Sequence, residues 1–386
     1  MRWVATVGLL LVAGIVVACP FCNSTGTTLT QDAGDAGMIL FGTLKNPRLD
    51  PKANMQGATD LEIEIVIKSH PYLGDRKVIT LPKYIPFDAK QPGKYLVFCA
   101  IFKGELDPYH GVPFKDGSHI AQYLKGSLEL KDKDLATRLR FFFDYLDDPD
   151  THIAQDAYTE FGYVDYMAFR PIAEKLPADR VIKWLRDADT PASRLGLYGS
   201  ILGHCGKATD AAVLRGIIDD KARRTLMGLD GVFAGLTLLS PKEGWAKTVE
   251  TMIDAKRDYT VRYSAMKSAQ FFWDYRPDVV THDALGEGVT RMIELPDAAD
   301  FAIETLGKWG YWKSVDKVMA LSHQPGYDTN LIQRALVRYA LRCPPNISPA
   351  VAAYLVQQRE KNPERVKDAE SMLTAESAPP PGKQKP

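Results

Sequence analysis

The sequence lacks an excess of either charge: 48 Lys and Arg stand against 48 Asp and Glu, for a formal charge of zero. A protein working along phosphate backbones needs a basic surface, so nucleic acid is not an expected partner. Histidine is scarce, with seven in 386 residues at 70, 110, 119, 152, 204, 282 and 323, and no HExxH brings two together as a zinc pair. There is no GxSxG nucleophile elbow and no GxxxxGK[ST] phosphate loop; residues 199–207 are glycine-rich at the wrong spacing. Five cysteines are too few for a disulfide-dense miniprotein. With 45% hydrophobic and 25% charged residues, global disorder and a multi-span membrane protein are both excluded. The length allows two or three domains.

What is present begins with a leader. Arg2 precedes an apolar run over residues 4–18, shorter than the roughly 20 residues that span a bilayer. A positive end, an apolar stretch and a small residue, Ala18, describe a secretory signal over 1–18, with a membrane anchor helix as the alternative. Cleavage after Ala18 leaves Cys19 first. Val16-Val-Ala-Cys19 resembles the lipobox of bacterial lipoproteins, which implies acylation of Cys19 and membrane attachment through it. Val is a weaker match than Leu at its first position, and plain secretion stays open. The expected location is the periplasm, the cell envelope or outside the cell.

Residues 38–44, 61–67, 77–81 and 93–102 read as strands, the second by its period-two alternation, and Pro/Gly clusters separate them. Such short strands suggest a small barrel or sandwich. From about residue 118 helical periods take over. A repeated centre, a small or apolar residue followed four later by an apolar one, occurs at Ala157/Phe161, Leu197/Ile201, Leu229/Phe233, Ala265/Ala269, Ala302/Leu306 and Ala335/Tyr339. The spacing averages about 36 residues, the signature of an α-solenoid of paired helices. Helix starts are expected near Asp150, Pro191, Asp258, Pro296 and Asp328. From Thr374 the polar, Pro-rich tail is expected not to fold. The expected organisation is a signal over 1–18, a β-barrel over 19–117, a solenoid over 118–373 and a tail over 374–386.

Two resemblances refine this. Pro191-Ala-Ser-Arg-Leu-Gly-Leu-Tyr198 with Leu202-Gly-His-Cys-Gly206, and Thr260-Val-Arg-Tyr-Ser-Ala-Met266, resemble HEAT-type repeats, in which an Arg near the helix start precedes a small residue that lets paired helices approach. Ile39-Leu-Phe-Gly-Thr43, Glu62-Ile-Glu-Ile-Val-Ile-Lys68, Lys77-Val-Ile-Thr80 and Gly93-Lys-Tyr-Leu-Val-Phe98, behind cysteines at the mature N-terminus, are similar to the netrin-like domain of the tissue inhibitors of metalloproteinases. That resemblance implies an OB-like barrel. Two residues, Pro20 and Phe21, separate the first cysteines where the inhibitors have one. A disulfide between Cys22 and Cys99 is expected to join the mature N-terminus to the last long strand, since oxidising export permits it.

Cys19-Pro-Phe-Cys22 also resembles a glutaredoxin redox pair, but that chemistry wants a βαβ unit, which does not follow here. The acidic knot Asp144, Asp147, Asp148 and Asp150 has neither the Gly nor the Glu of a calcium loop and reads as a turn with a helix N-cap. The histidines read as caps or surface residues. Trp309, Tyr311 and Trp312 fall in a turn and form the expected interaction surface. The sequence reading is therefore a non-enzymatic, exported interaction protein without metal or cofactor. It binds a protein or peptide through its helical repeats, with a metalloprotease inhibitor as the second reading and a thiol oxidoreductase as the third.

Overall fold

The computed structural model describes residues 20–21, 26–49, 57–88, 93–220 and 228–377. The segment expected to be a signal, with Ala18, Cys19 and Cys22, lies outside these. The chain divides into two compact units, Met1–Ile172 and Ala173–Pro386.

The first unit holds helix α1 (Leu29–Asp35), strands β1 (Met38–Leu49), β2 (Gly57–Lys68), β3 (Val78–Leu81), β4 (Lys94–Phe102) and β5 (Glu105–Phe114), then helices α2 (Ile120–Glu129), α3 (Leu135–Asp144), α4 (Thr151–Gly162) and α5 (Tyr166–Ala173), the last running one residue past the division. The strands form one antiparallel sheet in the order β3-β2-β1-β4-β5. The near-continuous apolar runs of β1 and β4 reflect burial on both faces. Met38, Leu40, Val97 and Cys99 point into a core closed by Leu73 and the half-buried Tyr72, Ile85 and Phe87. On the other face Phe98 stacks on His110 at 5.3 Å, and Phe41 meets Phe114, which lies against His152 of α4. Gly42 sits at a register shift where β1 presses on β2, and a Cβ there would overlap the Glu62 carbonyl.

One expectation needs correction here. The sheet is open, not a closed barrel: no ladder joins β3 to β5 among the described residues. Strand β3 is four residues long and followed by Pro82. Strand β5 carries Pro108 and Pro113, which lack the N–H a closing ladder needs. The helices over 120–162 fall in the first compact unit.

The second unit is helical: α6 (Ala178–Arg186), α7 (Ala192–Cys205), α8 (Ala211–Asp219), α9 (Leu229–Leu239), α10 (Pro241–Ile253), α11 (Tyr259–Tyr275), α12 (His282–Met292), α13 (Ala299–Trp309), α14 (Val315–Ala320), α15 (Asn330–Arg342), α16 (Pro349–Lys361) and α17 (Pro363–Ser377). The odd-numbered helices from α7 to α17 pack in succession as one layer, and the even-numbered ones from α6 to α16 as another. Five of the six repeated centres fall on consecutive members of the odd layer, α7 to α15, and the sixth on α4; all are buried. The odd helices run parallel, because each is followed by an even helix that returns the chain. Contacts between neighbours accordingly recur at 34 to 38 residues: Arg262 with Asp297, Gln270 with Thr305, Glu304 with Arg342, and Arg338 with Met372 and Glu376. Asp150, Pro191 and Asp258 are N-caps as expected, whereas Thr329, not Asp328, caps α15. Helix α17 runs to Ser377, so 374–377 are helical rather than part of an unfolded tail.

Candidate functional site

Three places gather chemistry-bearing side chains. The first is a clamp on α1. Thr28 caps this seven-residue helix, accepting from Gln31 N at 2.9 Å. The first amides have no intrahelical acceptor. Leu29 N and Thr30 N donate to Asp156 of α4 at 2.5 and 3.3 Å; Thr30 Oγ1 and Tyr123 Oη donate to the same carboxylate at 2.7 and 2.8 Å. One turn on, Glu160 accepts from Thr28 Oγ1 at 2.5 Å and has Arg138 at 3.6 Å. Both acids are 5% exposed, and loss of solvent raises the pKa of each above its ordinary value. The opposite end of α1 meets cations: Lys68 Nζ donates to the Ala33 and Gly34 carbonyls at 3.1 and 3.0 Å, and Lys131 Nζ to Gly34 at 3.3 Å. Carboxylates at the start and ammonium groups at the end match the helix dipole. Desolvation, then Lys131, lowers the Lys68 pKa.

The second is a cleft of about 450 Å³ beside the loop from β5 to α2 and the start of α4. His119 Nε2 lies 2.6 Å from Asp148, and Ser118 Oγ donates to Asp150 at 2.5 Å. Asp150 caps α4 through His152 N at 3.0 Å, with the His152 ring 3.6 Å away. The acidic knot is thus a turn and a cap. Two imidazoles beside carboxylates can exchange protons with a bound molecule. Among the described residues, no group of three or more His, Cys, Asp or Glu is placed to hold a metal ion.

The third is the outward side of the odd layer in the second unit. Tyr259 and Tyr263 of α11, Leu331 of α15 and Met372 of α17 are all exposed. Phe301 of α13 stacks on Tyr263 at 4.7 Å. Between α13, α15 and α17 a cavity of about 170 Å³ is lined by Leu331, Ala335, Ala369 and Met372 and flanked by Asp300, Arg334, Arg365 and Asp368.

The surface expected at 309–312 is packed more tightly than a free anchor would be. Tyr311 is buried over Gly286, and Trp312 meets Tyr339 edge-on. Trp309 is half-buried in a stack with Trp273. The sequence reading did not single out the exposed Tyr259 and Tyr263. Tyr259 and Tyr263 are spaced one helical turn apart at the start of a repeat, and that spacing was the available signal. Among the described residues, Cys99, Cys205 and Cys343 form no disulfide with one another; the expected partner of Cys99, Cys22, lies outside these residues. No helix among the described residues is long and apolar enough to cross a membrane.

The chain matches no family model and no curated protein. Among solved structures it is similar to human deoxyhypusine hydroxylase in complex with glycerol, at 13% identity and a TM-score of 0.27, over 63% of this chain and 91% of that one. The expectation of a chain without catalytic activity does not stand, because missing motifs do not make a chain a non-enzyme. At that TM-score the likeness carries no activity, substrate or site over to the chain described here.

Proposed function

We propose that the second unit is a HEAT-like repeat module that binds an extended protein or peptide segment along the outward side of its odd layer. One observation carries this reading: large apolar side chains, Tyr259, Tyr263, Leu331 and Met372, stand exposed on three parallel helices of one layer, with Phe301 of the helix between them stacked on Tyr263. Exposed Tyr and neighbouring aliphatic side chains around a small cavity are the make-up of interface anchors. Stacked repeats supply the long surface such a segment needs. In this reading the first unit, an OB-like sheet with netrin-like character, is the tether. Cys19, acylated or free after export, stands nine residues before Thr28, which α4 grips through Glu160.

A selection of displayed random peptides on the immobilised protein tests the reading. Enriched peptides should lose at least tenfold in affinity on Tyr263→Ser or Leu331→Ser protein. Peptides that bind both variants like the parent, or a selection with no enrichment, overturn it.

A further inference from the structure

The outward row has a distinctive end, and the inference drawn from it rests on the interaction reading above. Tyr259 and Tyr263 are 43% and 38% exposed, and their rings stack with centroids 6.1 Å apart and planes 26° apart. Phe301 adds a third ring from the neighbouring helix at 4.7 Å and 39°. Arg262 is buried beside them, bonded to Asp297 across the two helices with its guanidinium 5.8 Å from the Tyr259 ring. Three rings held from two helices form an ordered aromatic row, with Tyr259 and Tyr263 exposed, which we call the trough.

The charges at its rim are mainly acidic. Asp258 is exposed, 60% of the Asp297 side chain is open to solvent, and Asp300 follows on α13. Arg334 and Arg365 line the cavity that Asp300 also lines, and the other bases nearby are mostly committed. Arg262 serves Asp297, Arg257 serves the Ile218 carbonyl and Asp219, and Lys267 interacts with Asp230 and Asp274. Lys256 remains as an exposed base in the preceding turn.

Aromatic troughs suit proline. Its ring offers an apolar face, and a polyproline II segment is extended before it binds, so little ordering entropy is lost. Carboxylates at the rim suit lysine. The sequence contains a segment with both features, Pro379-Pro-Pro-Gly-Lys-Gln-Lys-Pro386.

That segment cannot fill the trough of its own molecule. Helix α17 runs parallel to α15, as the Arg338–Met372 and Arg342–Glu376 contacts show, so Ser377 lies level with the C-terminal end of α15. The trough lies at the N-terminal ends of α11 and α13. The 17 residues of α11 span about 25 Å, and each step between helices adds about 9 Å. Pro381 is four residues past Ser377, a reach of about 13 Å.

We propose that the Tyr259–Tyr263–Phe301 trough binds the proline–lysine segment 379–386 of a second copy of this chain, with the rings taking Pro379 to Pro381 and the acids Lys383 and Lys385.

The test is a fluorescent peptide of residues 377–386 titrated with the full chain and read by anisotropy. Saturable binding is expected. It should weaken at least tenfold on Tyr259→Ser/Tyr263→Ser protein and stay unchanged on Val356→Ser protein, a change at an exposed position of α16 in the even layer. A peptide with Ala at 379–381, tested on the unaltered chain, should also lose tenfold, which keeps the test decisive if the tyrosine variant folds poorly. Sedimentation should show self-association that the tyrosine variant loses. An absence of saturable binding, or equal binding of the Ala peptide, overturns the proposal. Should the display selection still yield peptides that need this layer, the broader interaction reading survives and only the proline–lysine assignment fails.

Discussion

Trp273 and Trp309 stack face to face, with ring centroids 4.2 Å apart and planes within 1°. They stand 36 positions apart in the sequence and at the same height on α11 and α13. The spacing of about 36 that runs through the sequence is therefore the length of chain that carries the backbone up one odd helix, down the next even one and back to the same level. His282 stacks on Trp273 as well, at 4.1 Å, within hydrogen-bond reach of the Trp273 carbonyl.

This stack is expected to couple α11 to α13. Aromatic pairs contribute about 0.5–1.5 kcal/mol beyond their area. A double-mutant cycle with Trp273→Ala and Trp309→Ala, read by urea unfolding, should give a coupling energy of about 1 kcal/mol. Additive single effects would mean that the rings merely lie near each other.

Glycines set a close approach between α7 and α9. A Cβ on Gly231 would overlap the Gly196 carbonyl, and one on Gly235 the Gly199 carbonyl. Alanine in a helix interior ordinarily gains up to about 1 kcal/mol over glycine. At Gly231 and Gly235 that gain should be outweighed by overpacking of about 1–3 kcal/mol. Gly216 of α8 faces open space, so Gly216→Ala should stabilise. Thermal melts of the three variants should therefore move in opposite directions, and a stabilised Gly231→Ala would refute the close contact.

These residues show what a single sequence reveals and what it hides. The repeat period, the cap at Asp150 and the four longest-signalled strands are local or periodic features, and they were legible. Strand β5 was not, because its prolines and glycine mimic a loop; only pairing with β4 makes it a strand. Helix α1 was not either. Its seven residues are too few to be stable alone, and its stability comes from Asp156 and Glu160, more than 120 residues away. The outward row was hidden for a related reason. Tyr259 and Tyr311 look alike in sequence, and only the neighbouring helix decides which one is buried.

Glu376 illustrates a non-local contribution at the chain's other end. It accepts from Arg338 and, at 2.8 Å, from Arg342, and both arginines also hold Glu304. Burial alone would raise the Glu376 pKa, but the two arginines hold it below the ordinary value. At concentrations where the chain is monomeric, shortening it to residue 377 should leave the melting temperature unchanged. Shortening it to 373 should cost about 1 kcal/mol, the size of a partly exposed ion-pair network. Equal melting temperatures would show that the network contributes nothing.

Asp156 and Glu160 should give the first unit an unusual pH response. Their pKa values are raised by burial, so the folded unit holds these protons more tightly than the unfolded chain. Their contribution is then fully present below the unfolded carboxylate pKa of about 4 and is lost as pH rises through the raised folded values. Glu160→Gln removes one of two acids a turn apart. Near pH 4 the variant should match the parent; near pH 8 it should be the more stable of the two. Denaturant midpoints across that range provide the check, and a variant less stable at pH 8 than at pH 4, relative to the parent, would reverse the sign.

Cys99 provides the last test, because its chemistry depends on when it is buried. It sits in β4 opposite Met38, fully buried in the sheet core. Loss of solvent, with the Asp107 charge adding to it, pushes its thiol pKa up to about 12. Only the thiolate attacks alkylating agents or disulfides, and at pH 8 roughly one part in ten thousand would be ionised even if reagent could enter. In the folded, reduced protein Cys99 should therefore react with iodoacetamide only as fast as the sheet opens, and more slowly than the half-buried Cys205. The same burial sets a condition on the Cys22–Cys99 bond proposed for an exported chain: it must form before β4 is covered. Protein folded under oxidising conditions should show the cross-link in non-reducing peptide maps, whereas protein folded reduced and oxidised afterwards should not. Rapid labelling of native Cys99 would contradict its burial, and a free Cys99 in the chain folded under oxidising conditions would remove the disulfide.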